Sequence, residues 1–176
     1  AAPARANLVL NGSFEDGTFV ENATSPPNDP GVMSLNSGAT TISGWTVVDQ
    51  ELAWLDNGNN YSLTTPYGTR FLDLTGYHSS PYAGVSQAIT TTVGQTYTLS
   101  FALGYLGGSP YFNGPVGVNA FVDNALLGTA TTGPGGAGMT WTTHTMTFTA
   151  TSSSPVIKLV GSAGLYLTGL DNVEVN

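Results

Sequence analysis

Cysteine is absent from the 176 residues, which excludes disulfides, zinc ribbons and thiol catalysis. Charge is almost as scarce. Charged residues make up 8% of the chain, against roughly a quarter in an ordinary domain. Only Arg5, Arg70 and Lys158 are basic, and the formal net charge is −8. A nucleic-acid binder needs a cationic footprint to release counterions from phosphate, so nucleic acid is excluded as a partner. Attraction to anionic lipid is disfavoured on the same ground. No apolar run reaches the length of a membrane span, and no membrane insertion is expected. No long stretch carries an apolar stripe of helical period.

What is present is 40% hydrophobic residues among abundant Thr, Ser, Asn and Gly. Such a chain folds by burial, and its polar content suits strands with one wet face and many tight turns. The clearest strand spans 96–103, where Tyr97, Leu99, Phe101 and Leu103 alternate with Thr96, Thr98, Ser100 and Ala102. Residues 84–90 alternate likewise, and Gly94-Gln95 between the two predicts a hairpin. Further strands are expected at 7–10, 45–48, 52–55, 70–74, 116–122, 140–150, 156–160 and 169–175. Asp123-Asn124 gives a turn signal. Many short strands at modest spacing imply an all-β fold, a sandwich of two antiparallel sheets. Residues 1–176 read as one domain, with 1–6 an extended N-terminal arm. Residues 16–43, 77–83 and 105–115 read as long loops, with a Gly-rich turn at 133–138.

Catalytic signals are weak. His144 falls on the apolar face of a predicted strand, as a core histidine does. His78 lies in a Tyr- and Ser-rich loop, and nothing in the spacing assembles a triad with Asp73 or Asp56. No Gly-x-Ser-x-Gly elbow occurs. A glycosidase needs two carboxylates across a scissile bond, and any two of Glu15, Asp49, Glu51, Asp56 and Asp73 could meet in space, so their presence is a weak signal. The expectation is a chain without catalytic residues.

Two other sets point to binding. Glu15 lies beside a Gly-rich turn, and Asp171 lies near the end of the chain. If the first and last strands pair, the two acids approach and would repel unless a cation sat between them. Calcium, a hard cation that takes oxygen ligands, is the expected cofactor. The loops also hold more tyrosine than turn chemistry requires. Tyr77, Tyr82, Tyr105 and Tyr111, with Asn113 as a polar partner, are the expected ligand contacts. Their flat faces suit a sugar ring or a protein neighbour. Trp45, after Gly44, reads as core.

Six segments, in order, resemble the galactose-binding-like jelly rolls of the DUF642 type, found in anchored bacterial surface proteins and plant cell-wall proteins. They are Asn7-Leu8-Val9-Leu10-Asn11-Gly12-Ser13-Phe14-Glu15, Ile42-Ser43-Gly44-Trp45, Phe71-Leu72-Asp73-Leu74-Thr75-Gly76, Gly84-Val85-Ser86-Gln87, the run from Gly94 to Phe101, and Leu170-Asp171-Asn172-Val173. The resemblance implies a jelly-roll β-sandwich with neighbouring terminal strands. It also implies a structural calcium near Glu15 and Asp171, and association with glycan or cell-wall polysaccharide without catalysis. Ala1-Ala2-Pro3-Ala4 resembles the remnant of a small-residue signal cleavage site, so the chain is expected to be secreted. The alternative expectation is a structural subunit of a filament or surface layer. It would self-associate by adding the 1–6 arm to a neighbour's sheet edge.

Overall fold

Strand formation follows the alternation of side chains. In Thr96–Gly107 the residues Leu99, Phe101, Leu103 and Tyr105 all enter the main core, while Thr96 and Thr98 face solvent. The computed structural model describes residues 6–22, 29–77, 80–112, 114–133 and 135–176. Within them lie eleven strands. In chain order these are β1 (Val32–Leu35), β2 (Thr46–Val48), β3 (Leu52–Asp56), β4 (Arg70–Asp73), β5 (Gly84–Ala88) and β6 (Thr96–Gly107). They are followed by β7 (Val116–Val122), β8 (Ala125–Thr132), β9 (Gly138–Thr149), β10 (Val156–Ala163) and β11 (Gly169–Val175).

A six-stranded sheet runs β1-β3-β4-β11-β6-β9, and a five-stranded sheet runs β2-β5-β10-β7-β8. All ladders pair antiparallel. The all-β sandwich of two antiparallel sheets is thus the fold. Among the described residues no helix is long and apolar enough to cross a membrane. The main core lies between the sheets, with Leu52, Trp54, Leu72 and Leu170 from one and Val47, Val85, Val118 and Leu159 from the other. Trp45 is part of it. The Asp123-Asn124 turn joins β7 to β8 with both residues at positive φ, 50° and 65°, the conformation a two-residue hairpin requires.

Four expectations need correction. Residues 84–90 and 96–103 do not form a hairpin: β5 pairs β2 and β10, whereas β6 pairs β11 and β9. The Gly94 turn therefore carries the chain from one sheet to the other. Residues 7–10 are not a strand. The Asn7 side chain takes the place of a ladder, its Oδ1 accepting from Val9 N and Val175 N at 3.0 Å each. The expected loop 16–43 contains β1, and β6 continues through Tyr105 into the expected loop 105–115.

The chain ends nonetheless meet. Leu8 N donates to Val175 O at 2.9 Å, and Val173 N donates to Gly12 O at 2.9 Å. The following turn is held from below by two indoles, with Trp45 Nε1 donating to Asn11 O (2.9 Å) and Trp54 Nε1 to Phe14 O (3.0 Å). Of the expected N-terminal arm only Ala6 falls within the described residues.

Closure of the ends gives the first prediction. A Cβ on Gly12 would sit 1.9 Å from Val173 O, a backbone atom that cannot rotate away. Gly12→Ala is expected to destabilise the fold by about 3 kcal/mol through overpacking, measured by denaturant unfolding. An unchanged midpoint would show that the N-terminal turn does not need this approach to β11.

Candidate functional site

The six-stranded sheet is buried on both faces over β3 and β4. In β3, Leu52 and Trp54 point into the sandwich, and Ala53 and Leu55 point out; in β4, Leu72 points in and Phe71 out. The outer residues are buried because the loop 57–69 folds back over them and adds Leu63 to a second apolar cluster with Val32, Phe71 and Leu167. Two asparagines pin that loop. Asn57 Oδ1 accepts from Thr65 N (2.8 Å), and its Nδ2 donates to Gly68 O (3.1 Å). Asn59 Nδ2 donates to Asp56 O (2.6 Å) and Leu63 O (2.7 Å), while its Oδ1 accepts from Tyr61 N and Leu63 N. Trp141 Nε1 adds a bond to Thr64 O at 2.8 Å.

The covering leaves a cavity of about 530 Å³ on the outer face. Val32, Ala53, Leu55 and Leu63 form its apolar walls, with Asp73 and Gly76 also in the lining. Tyr61, Tyr77, Tyr111, Phe112 and Tyr166 supply its aromatic side. Tyr111 and Tyr166 are 73% and 51% exposed, so they stand at the mouth. Tyr61 and Tyr77 are held by one buried carboxylate. Tyr61 Oη donates to Asp29 Oδ1 at 3.1 Å and Tyr77 Oη to Asp29 Oδ2 at 2.6 Å. Burial first, and Asp29 second, push the Tyr61 phenol up to about 12 and raise Tyr77 as well. Both hydroxyls therefore stay protonated and committed to Asp29. The Tyr61 ring meets Phe112 edge-on at 6.1 Å.

Asp73 is the polar element of the lining, only 4% exposed. Its Oδ1 accepts from Thr75 N (2.9 Å), Thr75 Oγ1 (2.8 Å) and Thr168 N (2.9 Å). Its Oδ2 has no hydrogen bond among the described residues. Burial raises its pKa to about 6, against the lowering effect of the Thr168 and Thr75 bonds.

The sequence-selected residues divide accordingly. Tyr77 and Tyr111 come together at the cavity. Tyr82 is half-buried against Gly161, and its hydroxyl donates to Gly164 O at 3.1 Å. Tyr105 is 5% exposed in the core between the sheets. Asn113 lies outside the described residues, as does His78. His144 is half-buried, stacked on Phe101 at 6.3 Å. Sequence reasoning missed Tyr61, Tyr166, Phe112 and Asp29 at the site and did not place Asp73 in a lining. The available signal was Phe71 beside Asp73 in the alternation, since a strand apolar on both faces must be covered on both.

Glu15 and Asp171 stand on the same side of the molecule, and the Glu15 charge contributes to raising Asp171. Asp171 is fully buried. Its Oδ1 accepts from Asn172 N at 2.6 Å at an irregularity of β11, and its Oδ2 accepts from Thr65 Oγ1. Glu15 caps the end of the covering loop, taking Thr69 N, Thr69 Oγ1 and Arg70 N at 2.8 Å each. Among the described residues the only ion pair is Arg70–Asp56 at 3.9 Å, so Asp171 has no cationic partner there. Burial, with a smaller contribution from Glu15, pushes Asp171 up to about 7. Asp171 is thus a buried carboxyl among neutral oxygens within the field of Glu15, whose own two oxygens accept from Thr69 and Arg70. No group of three or more His, Cys, Asp or Glu occurs among the described residues, so any further ligands to a cation there would be hydroxyl, carbonyl or water oxygens.

Comparison with known proteins places this geometry. The family model described as "Protein of unknown function (DUF642)" matches residues 7–163. Protein DUF642 L-GALACTONO-1,4-LACTONE-RESPONSIVE GENE 2 of Arabidopsis thaliana is 29% identical over 105 residues, 58% of this chain and 26% of that protein. The match thus spans about a quarter of that relative's length. Among solved structures, a cyclase from Fischerella sp. TAU in complex with 4-(1H-indol-3-yl)butan-2-one superposes with a TM-score of 0.64. It is 18% identical, with 98% of this chain and 97% of that chain covered. A family 35 carbohydrate-binding module from Paenibacillus barcinonensis superposes with a TM-score of 0.51 at 16% identity, covering 82% and 98%. At these identities the likeness is one of fold.

The two raised carboxyls make a prediction about pH. Their folded-state values, about 6 and about 7, lie above the ordinary 3.8, so the folded state holds these protons more tightly than the unfolded chain. The stability they contribute is full below the ordinary value and is lost as pH rises through the folded values. In chelator, the melting temperature is expected to fall between about pH 4 and about pH 7, and Asp171→Asn should flatten the fall. A melting temperature that rises over this range, or an equal fall in the variant, would contradict the assignment.

Proposed function

Because the chain belongs to the DUF642 family, we propose that it is a secreted, non-catalytic protein that binds a neutral cell-wall glycan on the tyrosine rim of the six-stranded sheet. The observation that carries the reading is the cluster of aromatic faces at the cavity mouth, where Tyr111, Tyr166 and Tyr61 are 73%, 51% and 38% exposed. A sugar ring presents C–H faces that stack on such rings, and the near absence of basic side chains suits an uncharged partner. The carbohydrate-binding-module fold supports the same reading. So does the cavity lining, whose described residues include one carboxyl, Asp73, whereas glycoside hydrolysis calls for a pair.

Binding to a panel of neutral oligosaccharides tests it. Tyr111→Ala and Tyr166→Ala are each expected to weaken binding about thirtyfold, as truncated aromatic anchors commonly do. Affinity should change little with salt, unlike phosphate recognition. Tyr105→Ala, in the core, should lower stability instead. Absence of saccharide binding in the parent would overturn the glycan reading. Steady release of reducing sugar, lost in an Asp73 variant, would overturn the non-catalytic one.

The proposal includes a structural calcium ion held by Glu15 and Asp171, with the Thr65 hydroxyl a candidate third oxygen. Such an ion would neutralise the buried Asp171 and tie the turn after the N-terminal segment to β11 and to the covering loop. An ion bound only by the folded state stabilises it by mass action. Calcium is therefore expected to raise the melting temperature of the parent by several degrees and to leave Glu15→Gln and Asp171→Asn unmoved. Equal melting in calcium and chelator, with no calcium found by elemental analysis, would remove the ion from the account.

A further inference from the structure

The glycan reading places sugar on the exposed tyrosines and leaves the recess beneath them unassigned. That recess is a poor place for a polyol. Its walls are the side chains of Val32, Ala53, Leu55 and Leu63, and the hydroxyls of Tyr61 and Tyr77 are already bound to Asp29. A sugar hydroxyl buried there would lose its water with few partners in return, which costs free energy. The volume, about 530 Å³, is within the range that encloses a small organic ligand.

Among the described residues, Asp73 supplies the carboxyl of the lining. The Asp73 carboxyl is built into the fold through Oδ1, which accepts three hydrogen bonds, from Thr75 N, Thr75 Oγ1 and Thr168 N. These fix the orientation of the group and leave Oδ2 as the oxygen able to accept from an occupant. A buried acceptor in an otherwise apolar recess selects a molecule that is apolar over its surface and carries one donor.

We propose that the recess under the tyrosine rim is a binding site for a small, flat, apolar molecule, of two or three aromatic rings, that donates a single N–H or O–H to Asp73 Oδ2. This goes beyond the glycan reading, because it concerns a different ligand class and stands or falls without it. The selectivity comes from two parts of the fold acting together. Apolar walls on the sheet's outer face reject polyols, and the Thr75–Thr168 cradle presents an acceptor that rejects donorless rings.

N-phenyl-1-naphthylamine serves as the probe. It is neutral, apolar, fluorescent in apolar surroundings and carries one N–H. At about pH 8, above the value of about 6 to which burial raises Asp73, the carboxylate is an acceptor. The parent protein is expected to bind the probe with one-to-one stoichiometry. The oxygen-bridged analogue, 1-naphthyl phenyl ether, has the same shape without the donor and, from its displacement of the probe, should bind at least tenfold more weakly than the amine itself. Asp73→Asn discriminates further. The Thr75 and Thr168 donors hold the amide oxygen at the Oδ1 position, so the amide NH2 replaces Oδ2 and faces the recess. That variant should lose amine affinity at least tenfold while keeping or gaining affinity for the ether. Ala53→Phe, which fills the recess from β3, should abolish binding of both. No fluorescence response from the parent would overturn the proposal. So would equal affinity for amine and ether, or a preference for the amine that survives Asp73→Asn. The amine–ether comparison on the parent decides the matter even if a variant does not fold.

Discussion

A sheet that is apolar on both faces must be covered on both, and the arrangement of this molecule depends on how the second face of the six-stranded sheet is covered. The five-stranded sheet covers one face through Leu52, Trp54, Leu72 and Leu170. The other face carries Ala53, Leu55 and Phe71, and among the described residues no third layer of secondary structure covers it. The loop 57–69 does the work, and a loop laid over a sheet needs its backbone polar groups satisfied. Asn57 and Asn59 meet that need with side-chain amides, each bridging backbone groups several residues apart. Because a loop packs less completely than a sheet, a cavity remains, and aromatic side chains from four loops border it.

The same covering puts two carboxyls out of water, and they differ in surroundings. Asp73 sits in an apolar recess with one oxygen saturated by threonine donors. Asp171 sits under the loop, bound to Thr65 and within the field of Glu15. Burial dominates both shifts, but a second negative charge acts only on Asp171. The first environment presents a carboxyl to the cavity, and the second leaves a carboxyl without a cationic partner among the described residues. Both groups are expensive to bury and neither contributes to the main core. Positions of that kind mark where a fold departs from maximum stability.

The inner faces of the strands were legible because period-2 alternation is a direct consequence of the pleat. Tyr97, Leu99, Phe101 and Leu103 read correctly as one buried face, and extending that spacing by two residues would have placed Tyr105 in the core with them. Reading a loop from 105 onward hid it. Sheet membership was not legible. Strands β5 and β6 alternate alike, and Gly94 at φ 81° suits a hairpin, yet the connection crosses between sheets; only tertiary packing distinguishes the two outcomes. Strand β1, four residues with a central Met-Ser, was too short to stand out from its surroundings. Glu15 and Asp171 were selected as a pair because the chain ends were expected to meet, and they do meet through Leu8, Gly12 and β11. Tyr61, Phe112 and Tyr166 reach the cavity from separate loops, a convergence no local pattern records.

The central proposal is that a neutral glycan binds on the tyrosine rim at the mouth of the cavity, beside the loop 57–69. Amide chemical-shift mapping during titration with neutral cell-wall oligosaccharides tests that claim most directly. The account predicts that perturbations concentrate at Tyr61, Tyr77, Tyr111, Phe112 and Tyr166. Perturbations confined to β2, β5, β10, β7 and β8, on the opposite side of the sandwich, would contradict it.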